Sequence, residues 1–423
     1  MNWQQLKKTL GPGILFASTA IGVSHLVQST RAGANFGFGL ILFIIAANVF
    51  KFPFFEFGAR YANATGKTLI DGYKRLGKSV IWIYFIVTIC SMFFVSAAVV
   101  LVTTGFMDNL FGLSGLWPSF KLFPIALVYL VTLALLLSGK YNFLDHFIKI
   151  VGIVLLISTI IVFVLTLMNG PAAQVEGFIP PKIFDDSSIL FIIALMGWMP
   201  TAMDMSTWVS LWTVAKMKST NYHPTLKETL FDFNFGYWIS AGLSLCFVTI
   251  GAYLIFGTGK NLPPDSVGFA DSVINLYTTT MGEWSYLIIA TAAFSIMFGT
   301  CIGLFDGYAR ALQHTTHILF RKDENESSSK YRKMYIASLI ILALGAFSMN
   351  AFFAGQFKIL IDLATTISFL IAPAVAIANF ILVSKKHIDK AYVPKTLLKI
   401  TSYLGIIFLT GFALFYVYVK FVK

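Results

Sequence analysis

Apolar residues form long runs along the whole chain, and polar residues are concentrated between the runs. A helix of about 20 apolar residues crosses the ~30 Å hydrocarbon layer of a bilayer, and most of the runs are close to this length. The pattern therefore predicts an all-α membrane protein. Its eleven spans are expected at residues 12–33, 36–59, 79–105, 119–138, 146–168, 187–215, 232–256, 283–312, 334–353, 357–384 and 396–419.

The composition agrees with a membrane location. Of 423 residues, 57% are hydrophobic and 12% are charged, against roughly 25% charged in a soluble domain. The formal net charge is +12, but the basic residues are spread over short loops, which favours a lipid bilayer rather than nucleic acid as the partner. Cys90, Cys246 and Cys301 lie in apolar spans without CxxC spacing, so we expect packing residues, not disulfides or metal ligands.

Catalytic and nucleotide-binding motifs are missing from the sequence. It has no GxxxxGK[ST] loop, no HExxH and no supported Ser-His-Asp arrangement. We therefore expect neither an enzyme nor an ATP-driven pump, and no cofactor. Gradient-driven or facilitated transport of a solute remains.

Most lysines and arginines between spans fall on the side of the membrane that holds the N-terminus, including the cluster Lys74, Arg75 and Lys78. Few basic residues, such as Lys182 and Lys260, fall on the opposite side. The positive-inside rule then predicts a cytoplasmic N-terminus and an external C-terminus. We expect the membrane to be the plasma membrane.

Two spans contain helix breakers near their middle. The first has Gly22 within Ala20–His25, and the sixth has Pro200 within Gly197–Thr201, where proline removes a backbone donor. Five spans separate the two breaks, which is typical of an inverted-repeat transporter. We predict a single membrane domain over 1–423, with repeats at about 11–168 and 187–384 and an extra helix at about 396–419.

Residues 10–39 contain Leu10-Gly11-Pro12 and Ala32-Gly33-Ala34-Asn35-Phe36-Gly37. This segment resembles the first helix of Nramp-family (natural resistance-associated macrophage protein) divalent-metal transporters, and Met199-Pro200 resembles the family's Met-Pro-His helix. The resemblance implies a LeuT-like 5+5 arrangement with discontinuous helices 1 and 6. It also implies alternating access and a divalent metal cation as substrate.

The chain departs from the family pattern at the places that bind metal and move protons. Gly22-Val23-Ser24-His25 stands where the family is expected to carry Asp-Pro-Gly-Asn. Thr201 replaces the helix-6 histidine, and Cys90 and Phe93 occupy the positions aligned with helix-3 acids. The sequence therefore predicts a non-standard site and no family-type proton pathway.

The candidate substrate site is built from residues at and beside the two breaks. His25, Met199 and Asp204 are the candidate metal ligands, because a cation in low dielectric needs nitrogen, thioether or charged oxygen donors. The full predicted substrate-binding set is Gly22, Ser24, His25, Gln28, Met199, Thr201 and Asp204.

Two other functions remain open. Free amides at Gly22–Ser24 could receive the carboxylate of a small organic solute such as an amino acid. A transport-inactive membrane sensor is the third possibility. The oligomeric state is left open by the sequence.

Other polar residues in the spans have structural or pathway interpretations. The i, i+4 spacing of Asp306 and Arg310 predicts a salt bridge, and Lys51 and Glu56 in the second span are expected to form another. Trp198 could cap the site. A polar strip that could line the pathway is formed by Asp362, Thr365, Thr366 and Ser368.

Overall fold

The computed structural model describes residues 8–116, 122–138, 141–320, 328–353 and 355–421, with the side chains of 141–152 and 328 left aside. All regular structure in these ranges is helical, and eleven continuous or broken helices match the predicted spans. Their bounds are α1a Pro12–Ala20, α1b Ser24–Ser29 continuing as Thr30–Phe36, α2 Ile41–Thr65, α3 Lys78–Phe111, α4 Phe123–Ser138, α5 Tyr141–Asn169, α6a Asp186–Gly197, α6b Met205–Thr220, α7 Leu226–Leu254, α8 Tyr286–Phe320, α9 Ser328–Phe352, α10 Phe357–Leu382 and α11 Thr396–Phe421.

Seven of these described helices are long and apolar enough to cross a bilayer by themselves: α2, α3, α7, α8, α9, α10 and α11. α4, the 153–169 part of α5 and α6a are shorter and apolar. The predicted start of the fourth span, 119–121, lies outside the described residues.

The connecting segments contain more helix than the sequence analysis expects. Residues 257–282, which connect two predicted spans, contain the helix Ser266–Met281, which Asp265 caps by accepting a hydrogen bond from the Gly268 amide at 2.8 Å. A second short helix, Leu69–Leu76, follows α2 and begins with a capping box made by Thr68 and Asp71. Capping residues were the missed signal in both cases.

Asp71 also ties this short helix to α8. Its Oδ1 lies 2.9 Å from Nε2 of His314. Burial would raise the pKa of Asp71, but hydrogen bonds from His314 and Thr68 outweigh it and lower the pKa to about 2. The carboxylate is therefore ionised throughout the physiological pH range, and the contact persists there.

Both halves of the first broken helix pack backbone to backbone against α7. A Cβ atom on Gly13 of α1a would lie 1.9 Å from the Asp232 carbonyl oxygen, and one on Gly236 would lie 2.0 Å from that of Gly13. In α1b, a Cβ atom on Gly33 would lie 2.0 Å from the Val248 carbonyl oxygen. Glycine at these positions lets α7 hold two helix segments that are not continuous with each other.

The halves of the sixth helix have similar supports. A Cβ atom on Gly197, at the end of α6a, would lie 2.0 Å from the Thr365 carbonyl oxygen of α10. One on Gly58 of α2 would lie 2.3 Å from the Ser206 carbonyl oxygen of α6b. α10 and α2 thus position the two ends of the second break.

Replacing Gly236 by alanine should destabilise the protein, because the added methyl group overlaps the Gly13 carbonyl and overpacking costs about 1–3 kcal/mol. The midpoint of thermal unfolding in detergent measures the effect. Gly242→Ala on the same helix is the control, since a Cβ atom there meets nothing within 4 Å. Equal midpoints for the two variants would contradict the close α1a–α7 packing.

Candidate functional site

The break in helix 1 covers residues 21–23 and leaves backbone donors without partners. α1a ends at Ala20, and α1b starts with a π-helical turn at Ser24. Among the described residues, the amides of Val23 and Ser24 donate to no backbone or side-chain acceptor. Gly22 is required here because a Cβ atom would lie 2.8 Å from Oγ1 of Thr300 on α8.

The break in helix 6 covers residues 198–204 and is closed by a side chain from α2. The Met199–Pro200 peptide bond within it is cis. Lys51 is fully buried, and its Nζ donates to the carbonyl oxygens of Met196, Gly197 and Thr201. The terminal carbonyls of α6a are therefore satisfied by a lysine that is distant in sequence.

The predicted Lys51–Glu56 ion pair is wrong. Glu56 pairs with Arg60, whose Nε lies 3.0 Å from Oε2. The two side chains are one helical turn apart, which leaves Lys51 for the carbonyls of α6a. The predicted pair Asp306–Arg310 is confirmed, with 2.7 Å between Nε and Oδ2.

A cavity of about 30 Å³ lies between the two breaks, bounded by α1, α3, α6 and α8. No lining side chain carries a charge at neutral pH. The indole N–H of Trp208 is buried with no hydrogen-bond partner, whereas Trp198 donates to Oγ of Ser368 at 2.8 Å. The lining residues are Thr19, Ala20, Val23, Ser24, Val95, Val99, Trp198, Thr201, Ala202, Met205, Trp208, Thr300, Leu304 and Tyr308.

His25 does not reach this cavity and is fully buried against α7. Its Nε2 lies 2.8 Å from the Ser240 carbonyl oxygen, and its Nδ1 lies 2.6 Å from Oγ of Ser24. Since a carbonyl only accepts, Nε2 carries the proton. Both ring nitrogens are occupied in this conformation, so neither offers a lone pair to a metal.

Asp204 stands immediately before α6b and is held by hydroxyl groups. Its Oδ2 accepts hydrogen bonds from Tyr308 at 2.8 Å and from Ser91 at 3.3 Å. Tyr308 also lines the cavity, which places the carboxylate one side chain away from it. Negative charge at this position is stabilised by the positive end of α6b.

The predicted set is therefore only partly brought together. Ser24 and Thr201 line the cavity, and Gly22 packs against Thr300, which also lines it. Met199 is buried outside the lining, while Met205 lies in it and its Sδ accepts a hydrogen bond from Oγ1 of Thr201. In the part of the chain that the structure describes, no three His, Cys, Asp or Glu residues form a group that could hold a metal.

Gln28 belongs to a different group, on the side of the membrane opposite the N-terminus. Arg31 of α1b pairs with Asp362 of α10, with 2.8 Å between NH1 and Oδ1, and also donates to Oε1 of Gln28 at 3.0 Å. Its guanidinium lies 4.9 Å from the ring centre of Phe191 on α6a. This cluster joins α1b, α6a and α10.

A second contact lies at the N-terminal end of α1a. The carboxylate of Asp232 on α7 accepts hydrogen bonds from the amides of Gly13 at 2.6 Å and Gly11 at 3.1 Å. It therefore caps the first turn of α1a, where orphan amides favour a negative charge.

The face of α3 toward the cavity carries Ser91, Val95 and Val99. Cys90 is exposed on the lipid-facing surface, so its prediction as a packing residue is wrong. Phe93 packs against Gly345 of α9. A Cβ atom on Gly345 would lie 2.2 Å from the Phe93 ring. Neither position that was aligned with family acids faces the site.

Sequence reasoning missed Lys51, Arg31, Asp232 and Tyr308 as members of these clusters. An ionisable residue within a span is functional by default, and this rule alone would have singled out Asp232 and Lys51. The same rule applies to Arg31, which lies within the predicted first span at 12–33.

The fold and the two central breaks define a class: an all-helical membrane protein with the LeuT-type arrangement. The manganese transporter of Eremococcus coleocola has the same fold, with a TM-score of 0.72 at 15% identity over 98% of this chain and 86% of that one. Mhp1, a nucleobase-cation-symport-1 family transporter, is more distant, with a TM-score of 0.56 at 13% identity over 97% and 93% of the two chains.

The chain belongs to the Nramp family of membrane transporters, since the family described as natural resistance-associated macrophage protein-like matches residues 13–419. An uncharacterized protein of Pasteurella multocida is 33% identical over 98% of this chain and 93% of its own length. The divalent metal cation transporter MntH of Latilactobacillus sakei is 25% identical over 62% of this chain and 57% of its own length. The predicted family is thus confirmed.

Arg31 and Asp362 should be energetically coupled. Arg31→Gln and Asp362→Asn should each lower stability in detergent, and the double variant should lose less than the sum, with a coupling of about 0.5–3 kcal/mol. The more exposed pair Asp306–Arg310 is the control, for which surface pairs give about 0.2–1 kcal/mol. Strict additivity at Arg31 and Asp362 would show that the bridge does not hold α1b to α10.

Proposed function

We propose that the protein is a secondary transporter that moves a small solute by alternating access through the cavity between the two helix breaks. Family membership supports the class of function. The Arg31–Asp362 cluster joins α1b to α10 on one side of the breaks, and the Asp232 cap joins α7 to α1a on the other. Opening these two contacts in turn would expose the cavity to each side of the membrane.

The proposal includes the predicted organisation in the membrane. The two repeats would be residues 11–168 and 187–384, followed by an extra helix at 396–419. The distribution of basic residues supports a cytoplasmic N-terminus in the plasma membrane.

The geometry best supports a small organic solute with a carboxylate or another strong hydrogen-bond acceptor. The observation that carries this proposal is the set of unpartnered donors at the cavity: the amides of Val23 and Ser24 and the indole N–H of Trp208. Helix N-termini and buried donors recognise acceptors and anions. No lining side chain supplies the negative charge that a desolvated divalent cation needs.

The volume of the cavity fits a closed conformation. About 30 Å³ holds a water molecule or two, whereas small-molecule sites commonly enclose about 300 Å³ or more. An organic solute therefore requires the α1 and α6 segments to move away from α3 and α8, which is the motion that alternating access provides.

A divalent metal cation is the second candidate, favoured by the family and by the names of MntH and the manganese transporter. Thioether and carboxylate donors, Met205 and Asp204, lie at or near the cavity. The predicted ligand set of His25, Met199 and Asp204 would have to leave its present partners and converge. Such a site would be non-standard for the family.

The family is expected to move protons with a helix-6 histidine and helix-3 acids, and the residues at the aligned positions of this chain support the absence of that pathway. Thr201 replaces the helix-6 histidine, and Cys90 and Phe93 face away from the cavity. Coupling to protons, if present, would use other groups, of which Asp204 is the buried carboxyl nearest the cavity.

Uptake into proteoliposomes tests the cargo. We expect uptake of small amino acids or monocarboxylates and little Mn²⁺ uptake. Trp208→Phe removes one donor and should raise the half-saturating solute concentration about 3- to 10-fold, the effect of one hydrogen bond. Trp212→Phe, on the same helix but outside the cavity lining, should leave it unchanged.

Each other outcome has a distinct meaning. Mn²⁺ uptake that His25→Ala and Met199→Ala abolish would support the metal candidate and contradict the organic cargo. No flux of any solute would support the transport-inactive sensor. Organic uptake that is indifferent to Trp208→Phe would keep the transporter but remove Trp208 from the site.

A further inference from the structure

Lys51 is the most unusual charged residue in the membrane interior of this protein. It lies on α2, and no part of its surface is exposed. Its Nζ contacts three carbonyl oxygens, at 3.1 Å for Met196, 3.0 Å for Gly197 and 2.7 Å for Thr201. The three acceptors belong to the end of α6a and to the break that follows it.

The number of these contacts specifies the charged form of the side chain. A protonated lysine carries three N–H donors, and a neutral amine carries two. Three short contacts to atoms that can only accept therefore describe an ammonium ion. Carbonyl oxygens grouped around a cation are also the means by which membrane proteins replace the hydration shell of a bound ion.

The surroundings offset the cost of burying this charge. The last carbonyls of α6a carry the negative end of its helix dipole, which stabilises a cation. Asp204 lies near enough to interact electrostatically with Lys51, and it is held in place by Tyr308 and Ser91. A cation thus stands at the negative end of α6a and an anion at the positive end of α6b, so the break is electrostatically complete.

We propose that the Lys51 ammonium is a tethered cation that permanently occupies a cation-binding position at the break of helix 6. The break therefore needs no free ion to hold α6a and α6b in place. This inference concerns the helix-6 break and does not depend on which solute the protein carries, so it can fail while the proposed transport function stands.

Chemical rescue tests the proposal through stability rather than transport. Lys51→Ala removes the shared donor of the three carbonyls and opens a space for a small ion. We expect the thermal midpoint of the purified variant to fall by several degrees and to recover with millimolar methylammonium or ethylammonium. Tetramethylammonium has the same charge but no N–H donor, and it should not restore the midpoint.

Lys51→Met is the matched control, because its side chain fills the space without charge or donors. It should be as unstable as Lys51→Ala and should gain nothing from alkylammonium ions. The native protein should be indifferent to these ions at the same concentrations.

Several results would overturn the tethered cation. A Lys51→Met protein as stable as the native one would show that the ammonium is not needed. Rescue of Lys51→Ala by tetramethylammonium as strong as by methylammonium, or no rescue at all, would exclude a built cation position. If Lys51→Ala cannot be purified, Lys51→Gln decides: its amide donates hydrogen bonds without charge, so native stability in that variant would refute the role of the charge.

Discussion

A helix that is interrupted inside a bilayer exposes backbone amides and carbonyls where no lipid group can pair with them, and every such group must find a partner. This constraint shapes the centre of the protein. The carbonyl oxygens at the end of α6a accept hydrogen bonds from Lys51, and the carboxyl group of Asp204 lies at the amide end of α6b. At helix 1 the carbonyl end is met by the Thr300 hydroxyl, while the amides of Val23 and Ser24 stay unpaired.

The packing around the breaks follows from the same constraint. A broken helix cannot transmit its own orientation from one half to the other, so each half needs an external support. α7 supplies it for α1a and α1b through Gly236 and Gly251, and its Ser240 carbonyl holds His25 between them. Contacts between glycines and backbone leave little tolerance for side chains but allow helices to slide or rock as units. The supports are thus compatible with a site that opens alternately to the two sides.

Local features of the sequence were enough to predict the helices and the places where they break. Apolar length predicts spans, and Gly22 and Pro200 interrupt helices by their own backbone chemistry. The partners of buried charges could not be predicted in this way. Lys51 bonds to carbonyls about 150 positions away, and Arg31 bonds to Asp362. The sequence analysis considered only partners within the same span and therefore paired Lys51 with Glu56, five positions further on. His25 was taken for a ligand because its partner, the Ser240 carbonyl, is a backbone atom that no sequence motif marks.

The charges at the centre also bear on what can bind there. Lys51 and Asp204 neutralise the ends of helix 6 and each other, so the cavity begins close to neutral. A divalent cation entering it would add two charges that no lining side chain offsets, and its desolvation in a low dielectric would cost far more than neutral oxygens return. A carboxylate would instead meet the free amides and the positive end of α1b. Gly22-Val23-Ser24 thus brings free amides and no acidic side chain to the break of helix 1, an arrangement that favours an anion.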